Sequence, residues 1–543
     1  MKSSELFLRS VYKLGIQNVF GIVGGEAQSM QFDEEKNIRF YLTRHEFTAG
    51  IMADTFSRVT GNPQMCYSTF GPGLTNMATG VFSAIQDRSP ILVVSAQVPT
   101  EEICFNQTHQ CADNISLMRT ITKYAVEIRN VYEIPSLLSK ALTISINGTP
   151  GPVYISFPRD LMGKEIDDTL AYNLLDRLKP IKKKEGLGID INKLDQIVEK
   201  IDSARHPLII AGNQIIRENC CEELEKLAES KNIPVMATLS SKGVIPSNHP
   251  LFLTTANKYI ERIFHEDIIK KIFGKCDLML LIGYDFGEDA KPSLWNDAIE
   301  SIVINSHYHD MGRVFQPSMV YLGNLSKSLE YLRKNSVTIK SIPNNIVEAK
   351  NIINQDIFSD QGQTKNLKNI ICSIRGSLGK DGILAVDVGL HKLYAALFDE
   401  TEKPNTFISS NVCGTFGFGL PAALGVKLAK PETRVCVVCG DGGFHSVSQD
   451  LETAARYNIA VVIVVLNDNS FGMIKACQYF SRDEIFSPSV DLGKVDFVKL
   501  AQANGVEAEY LDDINLLKDT MDRAFQKNKP YLIEIPITYC YKM

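Results

Sequence analysis

The chain has 543 residues, which is too long for one ordinary hydrophobic core and predicts roughly three to four domains. Its composition, with 44% hydrophobic and 22% charged residues, is typical of globular proteins. A formal net charge of -6 argues against broad nucleic-acid binding, which depends on basic surface, so we expect small-molecule partners and no nucleic acid.

The twelve cysteines lack the spacing of a disulfide framework or a zinc site, which predicts a reduced, cytoplasmic protein. The pair Cys436 and Cys439 lies in the apolar run VCVVCG and indicates a buried strand rather than a redox or metal motif. At the N-terminus, Phe7, Val11 and Leu14 share one face of a predicted helix, without the apolar stretch of a signal peptide. The longest apolar runs are far short of a membrane span, so we expect no membrane association.

Short apolar strands alternate with helical patterns through most of the chain, which is typical of parallel sheets with crossover helices. The polar segment 165–190 is predicted to be a solvated linker, and regularity fades again around 335–365. We therefore predict an α/β fold of three doubly wound parallel-sheet domains, covering 1–165, 190–335 and 360–543. The predicted strands lie in NVFGIVG, MCYSTFG, ILVVSAQ, PVYISFP, HPLIIAGNQ, IPVMATL, CDLMLLIGYD, SIVINSH, DGILAVDVG, TRVCVVCGDGG, AVVIVVLNDN and PYLIEIPI.

Oxygen-bearing side chains follow two neighbouring strands of the third predicted domain. Asp441 follows RVCVVC on a Gly-Asp-Gly turn, and the cluster NDNS, which contains Asp468, follows AVVIVVL. Because the carboxyl ends of parallel strands meet at one edge, the two sets of oxygens are expected to converge. Carboxylate, amide and carbonyl oxygens suit Mg²⁺, and the glycines let backbone N–H groups approach phosphates. The alternative is a plain strand-to-helix turn with an Asp cap.

Two motifs of the first domain are ambiguous by themselves. Glu46, in LTRHEFTAG, stands just after a short predicted strand, where an Arg-His-Glu run most often caps a helix. The run Gly71-Pro72-Gly73, in STFGPGLTN, is by itself only a tight turn.

Together with GTFGFGLPAALG in the third domain, these motifs resemble those of thiamine-diphosphate-dependent enzymes, in the same order from Glu46 to Met473. The resemblance implies a Mg²⁺ site made by Asp441, Asp468 and the backbone carbonyl of Ser470, although the family commonly has Asn at the position of Asp468. It also implies that Glu46 bonds to the aminopyrimidine ring and drives the tautomerisation needed to remove the cofactor's C2 proton. The implied cofactor contacts are Gly71, Pro72, Gly73, Asn76, Gly414, Thr415, Phe416, Gly440, Gly442, Gly443, Phe471, Gly472 and Met473. The family pairs the first domain of one subunit with the third domain of another, which implies a homodimer at minimum and allows a homotetramer.

Within that family the chain is most similar to acetolactate synthases, and more to the catabolic, FAD-independent type. His109-Gln110, thirteen residues before Lys123, matches the His-Gln of catabolic enzymes, and GDGGF, Asp468 and EIPITY also favour that type. The resemblance implies decarboxylation of a 2-oxoacid such as pyruvate and transfer of the hydroxyethyl group to a second carbonyl. Gln110 would hold the acceptor and His109 would shuttle protons, unless His109 is only a hydrogen-bonded structural histidine.

Several positions depart from the resemblance. Gly414 stands where catabolic enzymes usually have Gln, and Cys477 stands where biosynthetic enzymes have a Trp that favours 2-oxobutyrate. The chain's single Trp, Trp295, lies in the middle domain. The middle-domain segments YDFGEDAK and INSHYHD lack the Arg and Asp residues of FAD-binding relatives, so we expect no FAD. His391 and His445 are weaker pocket candidates.

Other functions remain open at the level of the sequence. A simple 2-oxoacid decarboxylase would release an aldehyde, and a carboligase with a specialised acceptor, such as a keto-sugar, would share only the donor half of the reaction. A regulatory or scaffolding subunit with a degenerate site is disfavoured because Glu46 and Asp441 are both present.

Overall fold

The computed structural model describes residues 1–25, 30, 32, 37–103, 109–183, 186–256, 273–285, 287, 299–308, 316–338, 347–348, 350–351, 362–481 and 487–539, with the backbone alone at 362–365 and 480–481. Trp295, parts of the two middle-domain segments compared with FAD-binding relatives, and most of the segment 335–365 lie outside these residues.

The first domain is a six-stranded parallel sheet with the strand order β2-β1-β3-β4-β6-β5. Phe7 and Val11 are fully buried beneath it, as their helical spacing predicts. The strands are β1 (Asn18–Gly21), β2 (Arg39–Leu42), β3 (Gln64–Ser68), β4 (Ile91–Gln97), β5 (Tyr124–Glu127) and β6 (Val153–Pro158). The α-helices are Ser3–Lys13, Glu46–Thr60, Pro72–Gln86, Asn114–Arg119, Ile134–Ile146, Arg159–Met162 and Asp168–Asp176.

The middle domain is a second parallel sheet, ordered β12-β11-β10-β7-β8-β9, which is the strand order of a doubly wound dinucleotide-binding fold. Its strands are β7 (Pro207–Ala211), β8 (Val235–Thr238), β9 (Phe252–Ala256), β10 (Leu278–Ile282), β11 (Glu300–Asn305) and β12 (Met319–Leu322). Its described α-helices are Ile191–Ser203, Gln214–Arg217, Cys221–Lys231 and Leu325–Asn335. The Arg88–Asp285 ion pair, 2.7 Å long, joins it to the first domain.

The third domain repeats the order of the first, as β14-β13-β15-β16-β18-β17. Its strands are β13 (Ile383–Val386), β14 (Phe407–Ser409), β15 (Val435–Gly440), β16 (Val462–Asn467), β17 (Glu507–Tyr510) and β18 (Tyr531–Pro536). Its α-helices are Gly362–Leu378, Leu390–Phe398, Gly419–Ala429, Asp441–His445, Leu451–Arg456, Gly472–Ser481, Phe497–Ala503 and Leu517–Gln526. The predicted α/β class with three parallel sheets is therefore confirmed.

Cys436 and Cys439 are fully buried within β15, so the prediction of a structural strand is confirmed there. Burial raises the pKa of both thiols, which keeps them protonated and unreactive.

The prediction of a linker at 165–190 is wrong for its first part. The helix Asp168–Asp176 buries Ala171 and Leu175 in the core of the first domain, and the Lys13 amine donates to the Leu175 carbonyl at 3.2 Å. A short amphipathic helix with only two buried side chains gives a weak apolar pattern, which explains why the sequence favoured a linker.

The first and third domains share one hydrophobic core, formed where the helix Glu46–Thr60 packs against the helix Gly419–Ala429. The helices approach so closely that a Cβ on Gly425 would lie 2.5 Å from the Met52 carbonyl oxygen. No helix in the described parts of the chain is long and apolar enough to cross a membrane.

Candidate active site

Two carboxylates lie at the carboxyl edge of the third sheet, where the sequence predicted them. Asp441 follows β15 and Asp468 follows the adjacent strand β16. Burial, followed by the charge of Asp468, raises the pKa of Asp441 to about 6, so the carboxylates are close enough to repel each other. A divalent cation between them would remove that repulsion, which makes the pair a candidate metal site.

The turn after β16 holds Ser470 beside this pair. Asn469 adopts a left-handed φ of 51°, which Asn tolerates better than most residues. The Leu492 N–H donates to the Asn469 carbonyl at 2.8 Å, and the Ser470 hydroxyl donates to Asp468 Oδ2 at 2.5 Å.

A buried histidine, His391, lies where the strand order of the third sheet reverses, between β13 and β15. His391 is 2% exposed, and among the residues that the structure describes its Nε2 has no hydrogen-bond partner. Burial lowers the pKa of His391 to about 4. Ligands of doubly wound sheets bind at such reversal points, so the unpartnered nitrogen points to a ligand. The sequence had ranked His391 only as a weaker candidate.

Glycines pack closely against neighbouring side chains at this edge. A Cβ on Gly442 would lie 2.6 Å from the ring of Phe471, and one on Gly443 would lie 2.8 Å from Asp387 Oδ2. A Cβ on Gly472 would lie 2.8 Å from the ring of Tyr539. Larger residues would force these neighbours apart, so glycine is required for the close packing at this edge. Gly440 ends β15 beside the His391 ring, and Met473 packs against the third-domain core.

The motif GTFGFGLPAALG begins in a loop between β14 and the helix Gly419–Ala429 and continues into that helix. Gly414 has a left-handed φ of 64°, and the Thr415 N–H donates to the Ser410 hydroxyl at 3.0 Å. Phe416 is 46% exposed, and its ring makes a T-shaped contact with Phe471 at 5.7 Å. An exposed large apolar ring at this edge offers a surface for an apolar part of a ligand.

The first-domain residues form a separate cluster around Glu46. Glu46 begins the helix Glu46–Thr60, is 8% exposed, and accepts a hydrogen bond at Oε2 from the Asn76 side chain at 3.1 Å. Gly73 lies against Glu46 Oε1, because a Cβ there would be only 3.3 Å away. Pro72 is the first residue of the helix that carries both Gly73 and Asn76.

Gln110 lies against the turn that carries this cluster. A Cβ on Gly71 would lie 2.5 Å from the Gln110 carbonyl oxygen, and Gln110 itself adopts a left-handed φ of 60°. Backbone strain of this kind is often found at functional sites. His109, next to it, is exposed.

The structure therefore brings the predicted residues together as two clusters, one in each outer domain. Within one chain, no hydrogen bond between described residues joins Glu46 to Asp441 or Asp468.

Comparisons with known proteins give the family. The models "Thiamine pyrophosphate enzyme, N-terminal TPP binding domain", "central domain" and "C-terminal TPP binding domain" match residues 1–117, 194–332 and 387–535. A probable acetolactate synthase large subunit of Methanocaldococcus jannaschii is 32% identical, over 99% of this chain and 92% of that protein. The chain belongs to the thiamine pyrophosphate enzymes.

Other comparisons characterise this acetolactate synthase-like enzyme further. The acetolactate synthase of Bacillus subtilis is 27% identical, over 99% of this chain and 93% of that protein. The thiamine diphosphate-dependent 4-hydroxybenzoylformate decarboxylase of Rhodococcus jostii RHA1 superposes with a TM-score of 0.86 over both full chains at 21% identity. That likeness bears on the fold, which is the three-domain fold of thiamine diphosphate enzymes.

The residues present fit thiamine diphosphate. The unpartnered His391 Nε2 and the glycines at 440, 442 and 443 could receive a diphosphate, and the acidic pair could bind its metal ion. The exposed Phe416 ring could contact the apolar part of the cofactor.

Proposed function

We propose that this enzyme decarboxylates a 2-oxoacid, with pyruvate as the first candidate, and transfers the resulting two-carbon unit to a second carbonyl. It acts in this proposal as an acetolactate synthase of the catabolic type, with thiamine diphosphate and Mg²⁺ and without FAD. The observation that carries the proposal is the acidic pair Asp441 and Asp468, with the buried His391 ring against Gly440, the residue before Asp441.

In this proposal the third domain binds the diphosphate and its metal. Asp441, Asp468 and the carbonyl of Ser470 would bind Mg²⁺, and His391 would face the diphosphate. When bound, thiamine diphosphate supplies the carbon nucleophile and the positively charged ring that accepts electrons as CO₂ leaves.

Glu46 serves as the acid–base group for the aminopyrimidine ring. Its burial and its hydrogen bond from Asn76 fix the carboxyl group in one place, as proton transfer at a defined ring nitrogen requires. Gln110, next to Gly71, orients the acceptor carbonyl, and the exposed His109 exchanges protons with solvent.

The active form is a homodimer at minimum, in which Glu46 of one chain serves the cofactor held by the other. Four large apolar side chains on segments that neighbour the two clusters in sequence are exposed, and a partner chain would cover them in this proposal. They are Val23, Phe82, Phe416 and Ile474, which are 39%, 41%, 46% and 51% exposed.

The test is to incubate the protein with pyruvate, thiamine diphosphate and Mg²⁺ and to identify the products by mass. We expect 2-acetolactate, or acetoin after acid treatment. Acetaldehyde as the main product would instead identify a simple decarboxylase. If pyruvate is not consumed, the donor substrate is a 2-oxoacid other than pyruvate. If pyruvate is consumed only when another carbonyl compound is added, that compound is the acceptor substrate.

A further inference from the structure

Hydrogen bonds to the third domain of the same chain hold the segment 42–48, which contains Glu46. The Leu42 N–H donates to the Tyr457 hydroxyl oxygen at 2.8 Å. Two residues further on, the Arg44 N–H donates to Asp450 Oδ1 at 2.8 Å. Beyond Glu46, the Thr48 hydroxyl donates to the other oxygen of Asp450 at 2.6 Å. The two oxygens of Asp450 therefore accept hydrogen bonds on either side of Glu46, from residues 406 and 402 positions away in sequence.

Asp450 does not cap the helix that follows it, although its position would favour that role. Asp450 stands at the N-cap of the helix Leu451–Arg456, but its side chain makes no capping hydrogen bond to that helix backbone. It is 0% exposed, and its carboxylate accepts instead from Arg44, Thr48 and the Thr453 hydroxyl, the last at 2.9 Å. A buried carboxylate is costly unless hydrogen bonds satisfy it, so these contacts are what make its burial possible.

We propose that Asp450 is a positioning residue for Glu46. By holding the residues on either side of Glu46, it fixes the orientation of the Glu46 side chain. This inference rests on the proposed acid–base role of Glu46. The first domain contacts the far end of that side chain through Asn76, and the third domain holds the flanking residues Arg44 and Thr48 through Asp450. Misplacing a reacting group by about 1 Å can cost on the order of a hundredfold in rate, so loss of either contact should slow proton transfer.

The cleanest variant is Thr48→Val, which keeps the side-chain shape but removes the hydroxyl that binds Asp450. Thr48→Ser keeps the hydroxyl and should restore the contact. Thr55→Val is the matched control, because Thr55 lies on the same helix and its hydroxyl also bonds to the third domain, to the Ala422 carbonyl at 3.2 Å. Thr55 is two helical turns further from Glu46. Removing its hydroxyl therefore weakens the contact between the domains without freeing the residues that flank Glu46.

Two variants test Asp450 itself. Asp450→Asn can still accept from the Arg44 N–H with its amide oxygen and can donate to the Thr48 hydroxyl with its amide nitrogen. Asp450→Ala can do neither. The asparagine variant should therefore preserve function that the alanine variant loses.

The measurement is the rate at which the cofactor's C2 proton exchanges for deuterium without substrate, together with the affinity of the full-length protein for thiamine diphosphate. We expect Thr48→Val and Asp450→Ala to slow exchange by about tenfold or more, and the other variants to stay within about twofold of the unmodified protein. Cofactor affinity should hardly change in any of them, because Asp450 does not belong to the proposed metal site.

The outcomes separate this inference from the proposed function. Equal slowing in Thr48→Val and Thr55→Val would mean that Asp450 merely supports the domain contact, and would overturn the positioning role. Glu46→Gln serves as the reference: if it slows exchange while Thr48→Val and Asp450→Ala do not, the inference alone is wrong. If Glu46→Gln leaves exchange unchanged, the acid–base role of Glu46 is wrong, and the inference falls with it.

Discussion

Substitutions at Glu46 and Asp441 are predicted to have different effects, because in the proposed function Glu46 transfers protons and Asp441 binds the metal ion. Glu46→Gln removes the acidic proton but keeps the hydrogen-bonding shape of the side chain. We expect turnover to fall by about 10² to 10⁴, the usual contribution of an acid–base group, with thiamine diphosphate affinity changed by less than about threefold. Steady-state kinetics and titration calorimetry would measure the two effects, and unchanged turnover would contradict the assignment.

The raised pKa of Asp441 predicts a loss of metal binding in acid. Burial and the charge of Asp468 bring the pKa of Asp441 to about 6 in the metal-free protein, and only the ionised carboxylate binds Mg²⁺. Binding should therefore be constant above this pKa and fall by about tenfold for each pH unit below it. The Mg²⁺ concentration needed for half-maximal retention of thiamine diphosphate, measured across this range, would show the change.

Asp468→Asn tests the interaction between the two carboxylates. The substitution keeps an oxygen for the metal but removes the charge that helps to raise the pKa of Asp441. The pH below which Mg²⁺-dependent retention of thiamine diphosphate is lost should then be lower. If this pH does not change, burial alone sets the pKa of Asp441.

The residues that the sequence identified are those with a local signature. Asp441 and Asp468 directly follow strongly apolar strands, and Glu46 follows a short strand at a helix start. His391 and Asp450 carry no such mark, since a lone histidine and an Asp before a helix are common in any protein. The role proposed for Asp450 depends on hydrogen-bond partners distant in sequence, and that of His391 depends on the lack of such a partner. Neither property can be read from one amino-acid sequence.

At the level of elements, the interior strands of the three sheets were predictable and most edge strands were not. Interior strands such as β15 are buried on both faces and form continuous apolar runs. Edge strands such as β5 and β17 are only partly buried and contain Glu and Tyr, so they lack that pattern. Apart from the neighbouring pair β15 and β16, which strands lie side by side was also not predictable, because the crossings between them involve contacts far apart in sequence.

The close contact between the helices Glu46–Thr60 and Gly419–Ala429 predicts that Gly425 cannot be enlarged. Gly425→Ala would place a methyl group 2.5 Å from the Met52 carbonyl oxygen, so the two domains would have to move apart. We expect a loss of about 1 to 3 kcal/mol in the free energy of unfolding, measured by denaturant titration.

Gly376→Ala is the matched control for that substitution. Gly376 lies in the helix Gly362–Leu378, and a Cβ there would meet only the flexible Lys518 side chain at 3.7 Å. This variant should be unchanged or stabilised by up to about 1 kcal/mol, because Ala favours the helix. Equal effects at both sites would contradict close packing between the domains.

At the scale of the whole molecule, the proposed site needs two chains, and this can be tested by mixing two inactive variants. Glu46→Gln protein retains an intact metal site, and Asp441→Ala protein retains an intact Glu46. If each site combines Glu46 of one chain with Asp441 of the other, a mixed dimer contains one fully intact site. Random exchange of subunits should then restore about a quarter of the activity of the unmodified protein.

The same mixture also reveals a site built within a single chain. In that case every site in every dimer would lack one group, and mixing would restore nothing. Activity would be measured after partial denaturation and refolding of the mixture, with each variant refolded alone as its control.

The shared strand order of the first and third sheets means that the chain contains two versions of one six-stranded unit. The helices that pack together, Glu46–Thr60 and Gly419–Ala429, each follow the second strand of their unit, so the contact joins equivalent faces. Contacts between equivalent faces are those of two-fold symmetric dimers, and here the symmetry is internal and approximate. After the third strand, one unit has Asp441 and the other has the turn at Gly71. In the proposed function the two units have therefore specialised, one for binding the metal ion and the other for proton transfer.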